Sequence, residues 1–163
     1  FTAGTEPVQF TLPDVEEKFS PLICFEDAFP HSGREHVSPE TSLLVNLTND
    51  GWFGAGPEQW QHAANAVFRA VENGVPLVRC ANNGLTCWID PLGRVRQYFG
   101  QESGNIYGAG FVSFEVPLGQ ALGQTAYNRH GDLFGWACLV VAVVVGAARR
   151  LAKRGLHTGG GIG

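Results

Sequence analysis

A stretch of sixteen residues without a charge, 133–148, most strongly limits what this chain can fold into. As an α-helix it would be about 24 Å long, which is below the ~30 Å hydrocarbon core of a bilayer, and Leu151 and Ala152 extend the apolar path. Its many valines leave a buried terminal helix or a strand as alternatives. It has no polar face, however, and the basic cluster at residues 149–154 follows directly. The pattern therefore favours one transmembrane helix with a cytoplasmic basic flank, which leaves the preceding part on the other side.

Charge and composition separate this segment from the rest. Residues 1–128 carry a balance of −8 and residues 129–163 a balance of +4, within a net charge of −4. Apolar residues make up 44% of the 163, which excludes disorder as the overall state. The acidic balance gives no electrostatic case for nucleic acid as a partner. The chain has no methionine and begins with Phe1, so we expect a C-terminal fragment of a longer protein.

The residues before the apolar stretch alternate between short apolar runs and turn signals. Helical spacing from Pro57 ends at Asn73 and Gly74, and predicts one long helix. A second, short helix is expected at residues 31–37. Short apolar runs predict strands at 8–12, 19–24, 42–48, 76–81, 85–90, 94–99 and 109–116. This order indicates an α/β or α+β domain and does not choose between the two.

Cys24 is the first candidate for chemistry. It ends an apolar run, and the carboxylates Glu26 and Asp27 follow it. A buried structural thiol is the simpler interpretation. The functional one is a nucleophile at a strand-to-loop elbow, where the next backbone N–H groups stabilise an oxyanion.

Two further loops and one histidine are weaker candidates. The loop Asn-Asp-Gly-Trp-Phe-Gly at residues 49–54 places Trp52 and Phe53 directly after a strand, where buried aromatics could also simply pin the loop. His62 fits a base or a hydrogen-bonded structural residue. The five histidines show no metal-ligand spacing, and we expect no cofactor.

Asn83 and Gly84 resemble a two-residue hairpin turn. Such a turn would pair Cys80 with Cys87. That pair would fall at a hydrogen-bonded position within the core, so we expect both thiols to be free.

These motifs, in this order, resemble the apolipoprotein N-acyltransferases of the nitrilase superfamily. The resemblance is carried by Ile-Cys-Phe-Glu at 23–26, Leu-Thr-Asn-Asp-Gly-Trp-Phe-Gly at 47–54, Trp-Gln-His at 60–62, Asn-Asn-Gly at 82–84 and the segment 123–132. It covers residues 1–154. It implies part of a four-layer α-β-β-α sandwich and one C-terminal transmembrane helix, held on the periplasmic face of the bacterial inner membrane.

The resemblance also implies a reaction. Cys24 would take a fatty acyl chain from a phospholipid as a thioester and pass it to the N-terminal amine of an apolipoprotein. Glu26 would be a supporting carboxylate and the backbone of Phe25 an oxyanion donor, while Trp52, Phe53 and Asn83 would bind substrate. The family's triad also needs a Glu and a Lys from well upstream. Only 23 residues precede Cys24, and the nearby Glu6, Glu16, Glu17 and Lys18 match no triad motif.

These expectations lead to an assignment of domains along the chain. Residues 1–128 would be the C-terminal part of a catalytic domain, 129–154 the membrane helix with its basic flank, and 155–163 a disordered Gly-rich tail. Without the triad Glu and Lys we expect the fragment alone to be inactive. Two alternatives stay open, a soluble nitrilase-type amidase and a non-catalytic membrane-anchored remnant.

Overall fold

The computed structural model describes residues 4–119 and 122–158. It divides the chain into two compact units, Phe1–Arg129 and His130–Gly163. The described part of the first unit contains one six-stranded sheet, whose strands are β1 (Phe10–Thr11), β2 (Lys18–Ile23), β3 (Thr41–Asn49), β4 (Leu77–Asn82), β5 (Cys87–Ile89) and β6 (Val95–Tyr98). The helices are α1 (Pro30–Glu35), α2 (Glu58–Asn73), α3 (Ala126–His130) and α4 (Leu133–Thr158), and two 3₁₀ turns span Cys24–Ala28 and Asp50–Phe53.

The strands lie in the sheet in chain order. β2, β3 and β4 are parallel, and the outer pairs β1–β2, β4–β5 and β5–β6 are antiparallel. A parallel pair needs a crossover connection, and here α1 and α2 supply the two crossovers. The predicted mixture of strands and helices is therefore confirmed.

Helix α2 forms the core with one face of the sheet. Its buried alanines, Ala63, Ala66 and Ala70, recur at helical spacing, and the sheet contributes the fully buried leucines Leu22, Leu44 and Leu77. The helix ends where the sequence predicts, because Gly74 adopts a left-handed φ of 70° and its N–H donates to the carbonyl of Ala70 at 2.9 Å.

The other face of the sheet is apolar and exposed. The strand register aligns Ile23, Leu47 and Cys80 in one row across β2, β3 and β4. Ile23 is 53% exposed and Leu47 47% exposed. An apolar sheet face is normally covered by a further layer. Within the described residues, the chain contributes one sheet that helix covers on one side, and it leaves the other side free for the second sheet of the layered sandwich that the resemblance implies.

Two local predictions are wrong. Residues 109–116 form no strand, since no strand of the described chain pairs with them beyond the sheet edge at β6. Cys87 pairs with Arg79, not with Cys80, because Gly84 does not take the positive φ of a two-residue hairpin turn. This register points Cys80 and Cys87 to opposite faces of the sheet, and both thiols are free.

The second unit is dominated by α4. Residues Leu133–Leu151 are long and apolar enough to cross a membrane, and none of this window is buried. The helix runs to Thr158, so the first four residues of the predicted disordered tail are helical. The rest of that tail, 159–163, lies outside the described residues.

Candidate active site

The candidate site lies where three parallel strands end. Cys24 follows β2, the turn Asp50–Phe53 follows β3, and Asn83 follows β4. The register aligns Ile23 with Leu47, and Asn49 with Asn82, so these strand ends lie next to one another. Loops at the carboxyl edge of a parallel sheet are where binding and catalytic residues usually lie.

Cys24 begins its 3₁₀ turn in an unusual backbone conformation. Its φ is 52°, in the left-handed region that costs a residue with a Cβ about 1–2 kcal/mol. Two contacts hold the turn: the Glu26 carboxylate accepts the backbone N–H of Ile23 at 2.7 Å, and the Asn46 amide donates to the Cys24 carbonyl at 3.1 Å. Strain of this kind, held by its surroundings, is typical of functional positions. The predicted elbow at Cys24 is present.

Hydrogen-bond donors surround the Cys24 sulfur. The Thr48 hydroxyl lies 3.5 Å from Sγ, and its hydrogen bond is the largest cause of a lowered thiol pKa. Backbone N–H groups of Asn49 and Phe25 lower the pKa further, and partial burial opposes them. Buried Cys87 is the opposite case, since desolvation raises its pKa to about 12. The surroundings therefore favour the thiolate form at Cys24 and disfavour it at Cys87.

A buried ionic cluster, formed by Asp27, Asp50, His62 and Arg79, lies behind the two turns. Arg79 donates from Nη1 to Asp27 at 2.5 Å and from Nη2 to Asp50 at 3.0 Å. His62 joins the same carboxylates, with Nδ1 at 2.8 Å from Asp50 and Nε2 at 3.0 Å from Asp27. Because each carboxylate belongs to a different turn, the cluster fastens both turns to α2 and β4.

The cluster balances its own charge. Hydrogen bonds to Asp27 and then to Asp50 raise the pKa of His62 to about 9, against burial and the nearby Arg79 charge. His62 is therefore a cation at pH 7, and two cations face two carboxylates. Its Nδ1–H already donates to Asp50, so the 3.0 Å approach of Arg79 Nη2 to Nδ1 is a contact between cations. A protonated His62 cannot act as a base, which supports its structural interpretation.

The aromatic residues predicted to bind substrate lie at the same edge. Trp52 is 84% exposed, and Phe53 meets the His62 ring edge-on with centroids 6.0 Å apart. Phe25 covers the same ring at 5.1 Å and leaves half of its surface exposed. These rings form an apolar rim at the sheet edge where Cys24 lies.

Asn83 holds the loop that carries Trp52. It adopts a φ of 57°, and its amide donates to the carbonyl of Gly54 at 3.2 Å. Its neighbour Gly84 lies so close to Asp50 that a Cβ there would come within 2.4 Å of the carboxylate. Asn83 thus acts on the loop in this structure, and direct contact with substrate stays a prediction.

The acidic and basic residues before Cys24 lie elsewhere. Lys18 begins β2 and pairs with Glu40, and the Ser42 hydroxyl donates to Glu17. The six residues of β2 span about 20 Å between Lys18 and the Cys24 turn. Glu17 and Lys18 therefore lie at the far end of β2 from Cys24.

Sequence reasoning missed the roles of Thr48, Asp27, Asp50 and Arg79. One signal was available, since Arg79 is a charge inside an apolar strand, and a buried Arg requires paired carboxylates. Which carboxylates pair with it depends on contacts between residues up to 52 positions apart.

Comparison with known proteins identifies the class to which this fold and site belong. The carbon-nitrogen hydrolase family model matches residues 1–109. The chain therefore belongs to the carbon-nitrogen hydrolase family.

Within that family, similar curated relatives are apolipoprotein N-acyltransferases. The relative from Geobacter metallireducens is 45% identical over 136 residues, which are 83% of this chain and 25% of the relative. The relative from Bradyrhizobium diazoefficiens is 38% identical over 156 residues, covering 94% of this chain and 27% of the relative. The chain thus spans about a quarter of the length of these relatives.

Solved structures of amidases share the fold. A mutant amidase from Nesterenkonia sp. AN1, with an acetamide moiety added covalently at its active site cysteine, matches with a TM-score of 0.50 and 20% identity. The match covers 61% of this chain and 39% of the amidase. At this identity the similarity shows a nitrilase-superfamily fold, as the sequence predicts.

Proposed function

We propose that Cys24 carries a fatty acyl chain from a phospholipid to the N-terminal amine of an apolipoprotein. The single observation that carries this proposal is the Cys24 elbow, where a strained turn presents a sulfur with a lowered pKa to hydrogen-bond donors. The apolar helix α4 and the names of the relatives support a lipid-facing acyltransferase.

In the first step the thiolate attacks the carbonyl carbon of a phospholipid ester. A carbon–sulfur bond forms, and the negative charge moves to the carbonyl oxygen, where the backbone N–H of Phe25 stabilises it. The carbon–oxygen bond to the glycerol then breaks. The lysophospholipid leaves with a proton, and the acyl chain stays on sulfur as a thioester.

In the second step the free α-amine of the acceptor attacks the thioester. A carbon–nitrogen bond forms, the amine gives up a proton, and the thiolate is released as the carbon–sulfur bond breaks. The family resemblance assigns the proton transfers to a Glu and a Lys upstream of this chain. Glu26, which accepts the Ile23 N–H, would support the site by holding the turn in place.

The aromatic rim suits a lipid substrate. Trp52, Phe53 and Phe25 present apolar surface at the sheet edge where Cys24 lies, and a fatty acyl chain gains free energy when it leaves water for such surface. Asn83 would contribute by holding the loop of Trp52 in position. We assign residues 1–128 to the catalytic domain and 129–154 to the membrane anchor and its flank.

We also propose a location for each part. The four cations in residues 149–154 would keep the end of α4 in the cytoplasm of a bacterial inner membrane. The site would then face the periplasm, where phospholipid and apolipoprotein meet at the membrane surface.

The substitution Cys24→Ala tests the proposal in the full-length protein. We expect it to abolish acyl transfer from phospholipid to a lipoprotein peptide while the protein still folds, because only the sulfur can form the thioester. Cys80→Ala and Cys87→Ala are the matched controls and should retain activity. Appreciable transfer by Cys24→Ala would refute the assignment of the nucleophile.

The amidase alternative rests on the solved neighbours. It predicts release of the acyl group to water from an amide, with no dependence on an amine acceptor. Measuring the acylated peptide and the free acid in the same reaction separates the two functions. A remnant without catalysis would give neither product in the full-length protein.

A further inference from the structure

Thr48 lies between the reactive sulfur and the buried ionic cluster. It is buried on β3, and its Oγ1 is 3.5 Å from Cys24 Sγ and 3.0 Å from Asp50 Oδ1. A hydroxyl has one hydrogen and can serve only one acceptor at a time. Asp50 does not depend on that hydrogen, because His62 donates to its Oδ1 and Arg79 to its Oδ2.

Two arrangements of hydrogens satisfy this chain of contacts. When Cys24 is a thiol, its S–H points to the Thr48 oxygen and the Thr48 O–H points to Asp50. When Cys24 is a thiolate, the Thr48 O–H turns to the sulfur, and Asp50 keeps its two donors from His62 and Arg79. The change requires only a rotation of the hydroxyl hydrogen, and no heavy atom must move.

We propose that Thr48 is a positioning residue for Cys24, whose hydroxyl turns its single hydrogen from Asp50 to the sulfur when the thiolate forms. This inference rests on the proposed role of Cys24 as the nucleophile. The hydroxyl also separates the sulfur from the Asp50 carboxylate, whose negative charge would otherwise oppose the thiolate directly.

Other charged groups lie on the Cys24 turn and on the elements packed against it. Its own turn contributes Glu26 and Asp27, and the neighbouring elements contribute Asp50, His62 and Arg79. Asp27, Asp50, His62 and Arg79 neutralise one another within the cluster, and Glu26 is hydrogen-bonded to Ile23. Among the described residues, the side chain that donates a hydrogen bond to the sulfur is Thr48. This agrees with the pKa of Cys24, which the Thr48 hydrogen bond lowers more than any other group does.

Alkylation of Cys24 by iodoacetamide measures this effect without acyl transfer. The full-length protein in its native membranes is treated over a series from about pH 6 to 10. The tryptic peptide of residues 19–34, which contains Cys24 as its one cysteine, is then quantified by mass spectrometry. We expect Thr48→Val to slow alkylation about fivefold at pH 7 and to move the profile to higher pH, because it removes the donor and keeps the shape. Thr48→Ser restores the hydroxyl and should stay within about twofold of the original rate.

Cys87 is the internal control for folding. It is fully buried, so its protection from iodoacetamide reports an intact sheet in the same sample. If Thr48→Val exposes Cys87, the comparison passes to Thr48→Ala, which also lacks the hydroxyl. The inference is overturned if a variant without the hydroxyl keeps Cys87 protected and still shows the original pH profile of Cys24 alkylation. It is also overturned if Thr48→Ser gives the same pH profile as Thr48→Val. A shifted profile in a protein without acyl transfer would contradict the proposed function, and only the effect of Thr48 on the Cys24 thiolate would stand.

Discussion

His62 links the candidate site to pH. Its folded pKa of about 9 lies above the ordinary 6.5, so its stabilising contribution is complete below pH 6.5 and is lost as the pH rises through 9. A shift of this size corresponds to roughly 3 kcal/mol in the free energy of unfolding. Cys24, whose pKa is lowered, contributes a slope of opposite sign, so the test compares variants at each pH.

We therefore predict that His62→Gln removes most of the loss of stability between about pH 6.5 and 9. The measurement is the thermal unfolding midpoint of the detergent-solubilised protein as a function of pH. His31→Gln, at an exposed position on α1, is the matched control and should keep the original slope. Equal slopes in the His62→Gln and original proteins would contradict the charged state that we assign to His62.

Single residues show how far prediction from sequence reaches. Cys24 was recognisable as a candidate because it ends an apolar run before two carboxylates. The positive φ of Cys24 and the hydroxyl of Thr48 were not, since both depend on how β2 and β3 align side by side. Local sequence carries no information on that register.

Helix α2 is the element that the sequence predicts best. Pro57, the helical spacing and Gly74 fix its length to within a residue. The β4–β5 connection was predicted wrongly. Position 84 requires glycine because the backbone there packs closely against Asp50, and not because a turn requires it. A glycine needed for close approach and a glycine needed for a turn look the same in a sequence.

The end of α2 offers a test of close packing. Gly74→Ala would place a Cβ 2.9 Å from the carbonyl oxygen of Gly123 and 3.0 Å from a Thr125 methyl, in addition to the strain of a φ of 70°. Gly104→Ala has the same backbone strain, with a φ of 69°, and nothing within 4 Å.

We expect Gly104→Ala to lower the free energy of unfolding by about 1 kcal/mol, because of backbone strain. Gly74→Ala should lower it by about 1–3 kcal/mol more, because its Cβ also meets close neighbours. Thermal unfolding of the two variants measures the difference. Equal midpoints would show that the segment containing Gly123 and Thr125 does not pack against the end of α2.

The whole molecule combines a sheet with one bare face and a helix of transmembrane length. The sequence predicted both a domain of strands and helices and the apolar helix, because hydrophobic period and length are local properties. It could not show which sheet face stays uncovered, since that depends on strand register. Ile23, Leu47 and Cys80 lie in one row on the uncovered face. We expect the second sheet of the family's sandwich to pack against this face.

The proposed orientation in the membrane rests on the basic flank of α4. We predict that a reporter fused after Gly163 is cytoplasmic and that a membrane-impermeant maleimide reaches Cys24 from the opposite side. Labelling of the peptide 19–34 is compared in spheroplasts and in inverted vesicles, and Cys24→Ala supplies the background. Labelling of Cys24 only in inverted vesicles would reverse the proposed topology.

The most direct test of the proposed chemistry is a mass measurement on Cys24 itself. The full-length protein is incubated with phospholipid in the absence of an amine acceptor, so that the first step occurs without the second. We predict that the peptide 19–34 gains the mass of one fatty acyl group in place of one hydrogen, that neutral hydroxylamine removes this group, and that an acceptor peptide discharges it. An acyl group found on another residue, or acyl transfer that proceeds with the peptide 19–34 unmodified, would contradict a thioester on Cys24.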